Sequence, residues 1–142
     1  MKQLDMLILL LLSLLLLPLF ANSSFALASE QVIEQQLSHY RDAGAGAFDA
    51  KRGASLWKQS HLQVKLGKQV NCTSCHTVRL QNVGQHMRTG KRIEPMAPSV
   101  NPERFGDAKK IEKWFKRNCK WTWGRECTAQ EKGDLLTFLK SE

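Results

Sequence analysis

Apolar residues recur every three or four positions over most of the chain, the spacing of a buried helical stripe, and alternation typical of strands is scarce. No internal repeat or low-complexity segment accompanies this pattern. The Gly/Ala-rich segment 41–47 is predicted to be a linker, and segment 83–104, which holds three of the four prolines, an extended loop. Helices are predicted for residues 29–40, 48–66, 107–118 and 128–140.

The last predicted helix carries the clearest local signals. Thr128 and Glu131 have the spacing of a capping box, in which each side chain accepts a hydrogen bond from the backbone of the other residue. Leu135, Leu136 and Leu139 then form one buried stripe. We therefore expect a helix that begins directly after Thr128 and packs against the core.

The first 28 residues have the organisation of a secretory signal peptide. One lysine precedes a run, residues 6–20, that is apolar apart from one serine and one proline, and Ala26 and Ala28 are the small residues that a signal peptidase recognises. Cleavage is predicted after Ala28, which leaves one domain, residues 29–142. The apolar run of 15 residues is short for a membrane span, and retention as an uncleaved anchor is the alternative. In either case the domain is exported, in a bacterium to the periplasm.

The exported part of the chain is strongly basic. Residues 1–28 contain one Lys and one Asp, so the remainder keeps the formal net charge of +8. Such a charge steers an acidic partner towards the protein. Nucleic acid is another common partner of basic proteins, but export and the lack of a recognition motif argue against it.

Cys72-Thr73-Ser74-Cys75-His76 is a CxxCH motif, the sequence that attaches c-type haem. The two cysteines are about one helical turn apart, which matches the spacing of the haem vinyl groups, and His76 follows as the proximal iron ligand. A thioredoxin-like redox pair would need a strand before the motif, for which the lysine-rich segment 65–70 is a weak candidate. A zinc site would need Cys119 and Cys127 at an unusual spacing. The motif therefore predicts one covalently bound haem c.

Function depends on the sixth ligand of the iron, and the sequence offers several candidates. Met96 lies in a proline-bracketed loop of the kind that presents a thioether to iron in ordinary class I cytochromes c, and spacing makes it the first choice. Met87 is a weaker version of the same arrangement. His86 would give a low-spin bis-histidine site, whereas His39 and His61 are interpreted as polar surface or partly buried residues.

Asn118 is a further candidate, suggested by helical periodicity. Ile111, Trp114, Phe115 and Asn118 follow the i, i+3, i+4, i+7 rule, so Asn118 is predicted to lie on the apolar face of its helix. A buried carboxamide needs a hydrogen-bond partner or a metal. A helix C-cap is the alternative, and periodicity alone favours it because Asn tolerates the left-handed conformation at helix ends.

The order of a helix, a CxxCH motif, a proline-rich loop and a terminal helix resembles class I cytochromes c. In that family the first and last helices cross where a small residue of one accepts an aromatic ring of the other. Gly53 and Phe138 match this pair. The resemblance implies an all-α, class I cytochrome c fold around the haem.

Five short blocks between residues 91 and 139 match a known pattern. They are Ile93-Glu94-Pro95-Met96-Ala97-Pro98-Ser99, Asn101-Pro102-Glu103-Arg104-Phe105, Lys113-Trp114-Phe115, Arg117-Asn118-Cys119 and Gly124-Arg125-Glu126-Cys127. In these blocks the chain resembles the small family called sphaeroides haem protein. That family has the class I fold, and its sixth ligand is an asparagine that precedes a disulfide cysteine; the resemblance implies this role for Asn118. It also implies that Met96 packs in the haem pocket without binding iron. Segment 121–123 has no clear counterpart.

The resemblance implies a function as well. In that family the ferrous form loses the asparagine and binds oxygen or nitric oxide, and the electron donors are a dihaem cytochrome c and a membrane b-type cytochrome. Coordination chemistry agrees with the loss, because a carboxamide oxygen is a hard, weak donor that suits ferric iron better than the softer ferrous ion. A monomer is expected.

Cys119 and Cys127 remain once the thioethers are assigned, and an oxidising compartment favours a disulfide between them. Such a bridge would hold Asn118 near the iron, although it could equally be a purely structural link. Two other classes of function stay open beside gas binding. One is an ordinary electron shuttle with a methionine ligand, and the other is a haem enzyme that acts on oxygen, nitric oxide, hydroxylamine or peroxide.

Overall fold

The computed structural model describes residues 18–142, with the side chains of residues 27–142. Most of the predicted signal peptide lies outside these residues, and its cleavage stays a prediction. The first described helix, α1 (Pro18–Asp42), runs through the predicted cleavage point after Ala28. In the described part, no helix is long and apolar enough to cross a membrane.

Four longer helices and two small hairpins make up the described fold. The N-terminal half contains α1, then α2 (Ala50–Lys58) and a hairpin of β1 (His61–Gln63) and β2 (Lys68–Val70). A single helical turn, α3 (Thr73–His76), carries the haem motif and is followed by a second hairpin of β3 (Gly84–Gln85) and β4 (Arg92–Ile93). The chain ends with α4 (Ala108–Trp123) and α5 (Ala129–Lys140).

Helices α2 and α5 cross at Gly53, as the sequence predicts. A Cβ atom on Gly53 would lie 2.1 Å from the backbone oxygen of Asp134 and 2.7 Å from Cβ of Phe138, so only glycine permits this contact. The Asp134 carboxylate, almost fully buried, ties the two helices together by accepting hydrogen bonds from the Arg52 guanidinium at 2.8 and 2.9 Å and from the backbone of Asp49 at 2.8 Å. The predicted pair of Gly53 and Phe138 is confirmed.

Helix α1 packs across the outside of α4 and α5. Ile33, Leu37 and Tyr40 form a buried cluster with Leu136 of α5. At the end of this cluster, Glu112 of α4 accepts hydrogen bonds from the Tyr40 hydroxyl, from Gln36 at 3.1 Å and from Lys132 at 2.7 Å. The half-buried carboxylate therefore joins three helices.

The capping box of the last helix is confirmed, and so is its stripe of leucines. Thr128 accepts a hydrogen bond from the Glu131 backbone at 3.2 Å, and Glu131 accepts one from the Thr128 backbone at 2.8 Å. Leu135, Leu136 and Leu139 are each at most 3% exposed. Helix α5 thus begins where the sequence places it.

Two predicted segments are wrong in part. The predicted helix over residues 48–66 ends at Lys58, and residues 61–70 form the first hairpin instead. Leu62, Val64 and Leu66 alternate with polar residues, and Gly67 adopts the left-handed conformation, φ 59°, that a tight turn requires. The predicted loop over residues 83–104 contains the second hairpin, which pairs Gly84 with Ile93.

Candidate haem site

The CxxCH motif forms one helical turn whose two thiols are free and half-buried. The backbone N–H groups of Cys75 and His76 both donate to the carbonyl of Cys72, at 3.3 and 3.1 Å. Asn71 fixes the start of the turn, because its side chain accepts from the Thr73 hydroxyl at 2.6 Å and donates to the carbonyl of Lys58 at 3.2 Å. The motif is thereby attached to the end of α2.

His76 is held as a neutral imidazole beside the core. Its ring lies 5.3 Å from that of Trp57, centroid to centroid. Burial and the positive charge of Arg104 lower the pKa of His76 to about 4, so the ring is deprotonated at neutral pH. Its Nδ1 atom is buried and has no hydrogen-bond partner among the described residues. A neutral imidazole is the form that binds iron.

The second hairpin covers the outer side of the motif. A Cβ atom on Gly84 would lie 2.2 Å from the carbonyl oxygen of Cys75, so this close approach requires glycine. The backbone N–H of Met87 donates to Cys75 Sγ at 3.5 Å. The ring of His86 lies 6.4 Å from that of Trp121, which connects the hairpin to α4.

Backbone contacts fix the loop that carries Met96. The N–H groups of Met96 and Ala97 both donate to the carbonyl of Leu80, four residues after His76, at 2.9 and 3.1 Å. The Arg104 guanidinium donates to Met96 Sδ at 2.6 Å, and the same charge lowers the pKa of His76. Arg104 therefore contacts the thioether and also acts on the histidine through its charge.

Arg104 is itself a half-buried cation. Burial lowers the pKa of its guanidinium below the ordinary value. Apart from the contact with Met96, its side chain donates only to the carbonyl of Glu94, at 3.4 Å, and it forms no ion pair within the part of the chain described. Sulfur is a weak acceptor, so this guanidinium is suited to bind a carboxylate such as a haem propionate.

Asn118 lies inside α4, which continues to Trp123 and ends at Gly124 with φ 72°. The alternative that Asn118 is the C-cap is therefore wrong. The prediction that Asn118 lies on the buried, apolar face of the helix is also wrong in part, since the side chains of Asn118 and Trp114 are exposed. The helix buries the stripe of Ile111, Cys119 and Thr122 instead, and Asn118 is about 100° away from Cys119 around the helix. Asn118 is thus an exposed residue that directly precedes the buried Cys119.

A disulfide joins Cys119 to Cys127, with 5.7 Å between their Cα atoms. Cys119 belongs to the same core cluster as Trp57 and Leu80, against which Cys72 and Met96 pack. The residue after Asn118 is therefore fixed in the cluster that borders the haem motif. Because both cysteines are used in the bridge, they supply no thiolates for zinc, and no group of three metal-binding side chains occurs among residues 18–142.

These side chains fit a covalently attached haem. The site offers two free thiols one turn apart, a neutral imidazole with a buried Nδ1, and a guanidinium that has no ion pair among the described residues, with aromatic rings around them. The other histidines lie elsewhere. His86 is half-buried, and its Nδ1 lies 3.0 Å from the Thr89 hydroxyl. The ring of His61 lies 5.5 Å from that of Trp123, centroid to centroid, and His39 is exposed. The fold and the motif together define a class I cytochrome c.

Comparison with known proteins identifies the family within this class. Residues 43–139 match the family model described as a domain of unknown function, DUF1924. The chain is 40% identical over 117 residues to the cytochrome c-type protein SHP of Cereibacter sphaeroides, covering 82% of this chain and 89% of that protein. The chain belongs to this family, the sphaeroides haem proteins, and carries haem c.

Solved structures agree with the assignment. The structure of oxidised SHP, described as an oxygen-binding cytochrome c, superposes with a TM-score of 0.71 at 40% identity and covers 78% of this chain and 96% of that one. A solution structure of cytochrome c'' from Methylophilus methylotrophus, concerned with the structural basis of haem-ligand detachment, has a TM-score of 0.64 at 31% identity. It covers 80% of this chain and 93% of that one. The predicted fold class and cofactor are confirmed.

Proposed function

We propose that this cytochrome binds ferric iron between His76 and Asn118, releases Asn118 on reduction, and then takes up oxygen or nitric oxide. The observation that carries the proposal is the position of Asn118, which is exposed on α4 and directly precedes a disulfide cysteine of the core cluster. A relative described as an oxygen-binding cytochrome c and another whose haem ligand detaches support it.

Each side chain of the site has a separate task. Cys72 and Cys75 would form the thioethers with haem, His76 would supply the proximal nitrogen, and Arg104 would bind a propionate. Ferrous haem supplies an iron centre with affinity for diatomic gases. The Asn118 oxygen is a hard donor that would suit ferric iron, and once released its amide would be able to donate a hydrogen bond to a bound gas.

Membership of the sphaeroides haem protein family favours Asn118 over an ordinary methionine ligand. The Met96 thioether is in contact with Arg104, and the backbone N–H of Met96 donates to the carbonyl of Leu80. We therefore infer that Met96 packs against the haem without binding iron.

The electron donors proposed are a dihaem cytochrome c and a membrane b-type cytochrome, reached in the periplasm. The net charge of +8 suits an acidic partner face. Lysines follow the outer side of α4, where Lys109 and Lys113 are exposed. Encounter rates with an acidic donor should therefore fall as the salt concentration rises.

The test is the rate at which azide binds the ferric protein. Replacing Asn118 by Ala removes the internal ligand, so azide should bind at least about tenfold faster, which corresponds to roughly 1.4 kcal/mol in the barrier. Asn82→Ala is the matched control, because Asn82 is an exposed asparagine on a loop. Equal azide rates in Asn118→Ala and the parent would exclude Asn118 as the ligand.

A further inference from the structure

The first hairpin lies between the haem motif and the last turn of α4. Strand β1 contacts α4, and the Gln63 side-chain amide donates to the backbone carbonyl of Trp121. Trp121 is among the last four residues of the helix, whose carbonyls lack partners inside the helix. Gln63 therefore binds a backbone group that α4 itself leaves free.

The same hairpin is firmly connected to the haem motif. His61 pairs with Val70 across the two strands, and Val70 is 1% exposed. Two residues later, the backbone N–H of Cys72 donates to the carbonyl of Trp57 at 3.2 Å. The side chain of His61 also packs against Trp123, one turn beyond Cys119. The hairpin thus links the attachment cysteine to the end of α4.

Asn118 lies within one turn of both attachments of that helix end. Cys119, its neighbour, is bound to Cys127 by the disulfide. Trp121, three residues further, is bound to Gln63. Since a helix is stiff over a single turn, these attachments fix how far Asn118 lies from the haem motif.

We propose that Gln63 is a positioning residue for Asn118: its bond to the Trp121 carbonyl keeps the last turn of α4 close enough to the haem for the asparagine to bind ferric iron. The inference rests on the proposed function and deepens it. Gln63 acts through the helix and does not touch the iron. Its effect is therefore confined to the ferric state, because the ferrous protein has already released Asn118.

The experiment measures ligand binding to the holoprotein in both oxidation states. In Gln63→Leu the donor is lost, and azide should bind the ferric protein about fivefold faster, the factor expected for the loss of one hydrogen bond. Binding of carbon monoxide to the ferrous protein should be unchanged. The matched control is Gln69→Leu, since Gln69 is an exposed glutamine of the same hairpin, paired with Leu62. Gln63→Glu serves if Gln63→Leu folds poorly, because it keeps the size and removes the donor.

The double variant Asn118→Ala/Gln63→Leu separates positioning from a general loosening of the pocket. If Gln63 acts only through Asn118, the double variant should bind azide at the rate of Asn118→Ala alone. A further increase in the double variant, or a changed carbon monoxide rate in Gln63→Leu, would overturn the positioning role. If Asn118→Ala speeds azide binding but Gln63→Leu does not, this inference fails and the proposed function stands. If Asn118→Ala has no effect, both fail.

Discussion

Replacing Gly53 by Ala tests the helix crossing on which the whole site is built. The added Cβ would lie 2.1 Å from the carbonyl oxygen of Asp134, whereas ordinary contacts of a Cβ begin at 3.4 Å. The opposing atoms are backbone and a Cβ, which cannot rotate away, so α2 and α5 must separate by about 1 Å. Overpacking of this kind lowers the free energy of unfolding by up to about 3 kcal/mol, and the better helix propensity of Ala offsets about 1 kcal/mol of this loss.

The expected net loss is therefore about 2 kcal/mol in the free energy of unfolding, measured by urea denaturation of the holoprotein followed by circular dichroism. The midpoint of thermal unfolding should fall by roughly 8 °C. Gly46→Ala is the control, because the nearest atom to its new Cβ is the end of the Gln130 side chain at 3.5 Å. Unchanged stability in Gly53→Ala would refute the close crossing of the two helices.

Three further changes test other parts of the account. Asp134→Asn removes the charge from a buried carboxylate that accepts several hydrogen bonds, and should lower the free energy of unfolding by about 2 kcal/mol in urea denaturation. Glu94→Gln, in an exposed ion pair that solvent screens, is the control and should leave the unfolding curve nearly unchanged. Cys119→Ser/Cys127→Ser removes the disulfide that closes a short loop, and should lower the free energy of unfolding by roughly 2.5 kcal/mol in the same assay. It should also speed azide binding to the ferric protein. Burial raises the pKa of Glu112, but hydrogen bonds from Lys132 and Tyr40 outweigh burial and hold the pKa below 4.5. The ionised Glu112 therefore stabilises the fold above about pH 4.5, and this stabilisation is lost as the pH falls through the lower pKa of the folded state. Glu112→Gln should accordingly weaken the dependence of the melting temperature on acid pH.

The parts of the fold that depend on local chemistry could be predicted from the sequence. The capping box at Thr128 needs only a spacing of three residues, and the haem motif is recognisable because the reaction with haem requires its spacing. The contact of Gly53 with Phe138 was accessible only through the resemblance to class I cytochromes c.

Features that depend on distant contacts were missed. The first hairpin comes soon after a helix. Apolar and polar residues alternate in it only briefly, at Leu62, Val64 and Leu66, so the predicted helix extends over this segment. The last residues of α4, beyond Asn118, contact distant parts of the chain: Cys119 through the disulfide, and Trp121 through Gln63, a residue 55 positions earlier in the chain than Asn118. The amphipathic pattern could not show that a neighbouring face, centred on Cys119, is the one that contacts the core.

The most direct test of the central claim is the optical spectrum of the purified holoprotein before and after reduction, with and without carbon monoxide. Asn118 as a displaceable ligand predicts a ferric spectrum without a sulfur-to-iron band, a high-spin ferrous spectrum, and an immediate shift of the ferrous bands when carbon monoxide is added. A low-spin ferrous spectrum that carbon monoxide leaves unchanged, together with a sulfur-to-iron band that disappears in Met96→Ala, would contradict the account and identify an ordinary electron shuttle.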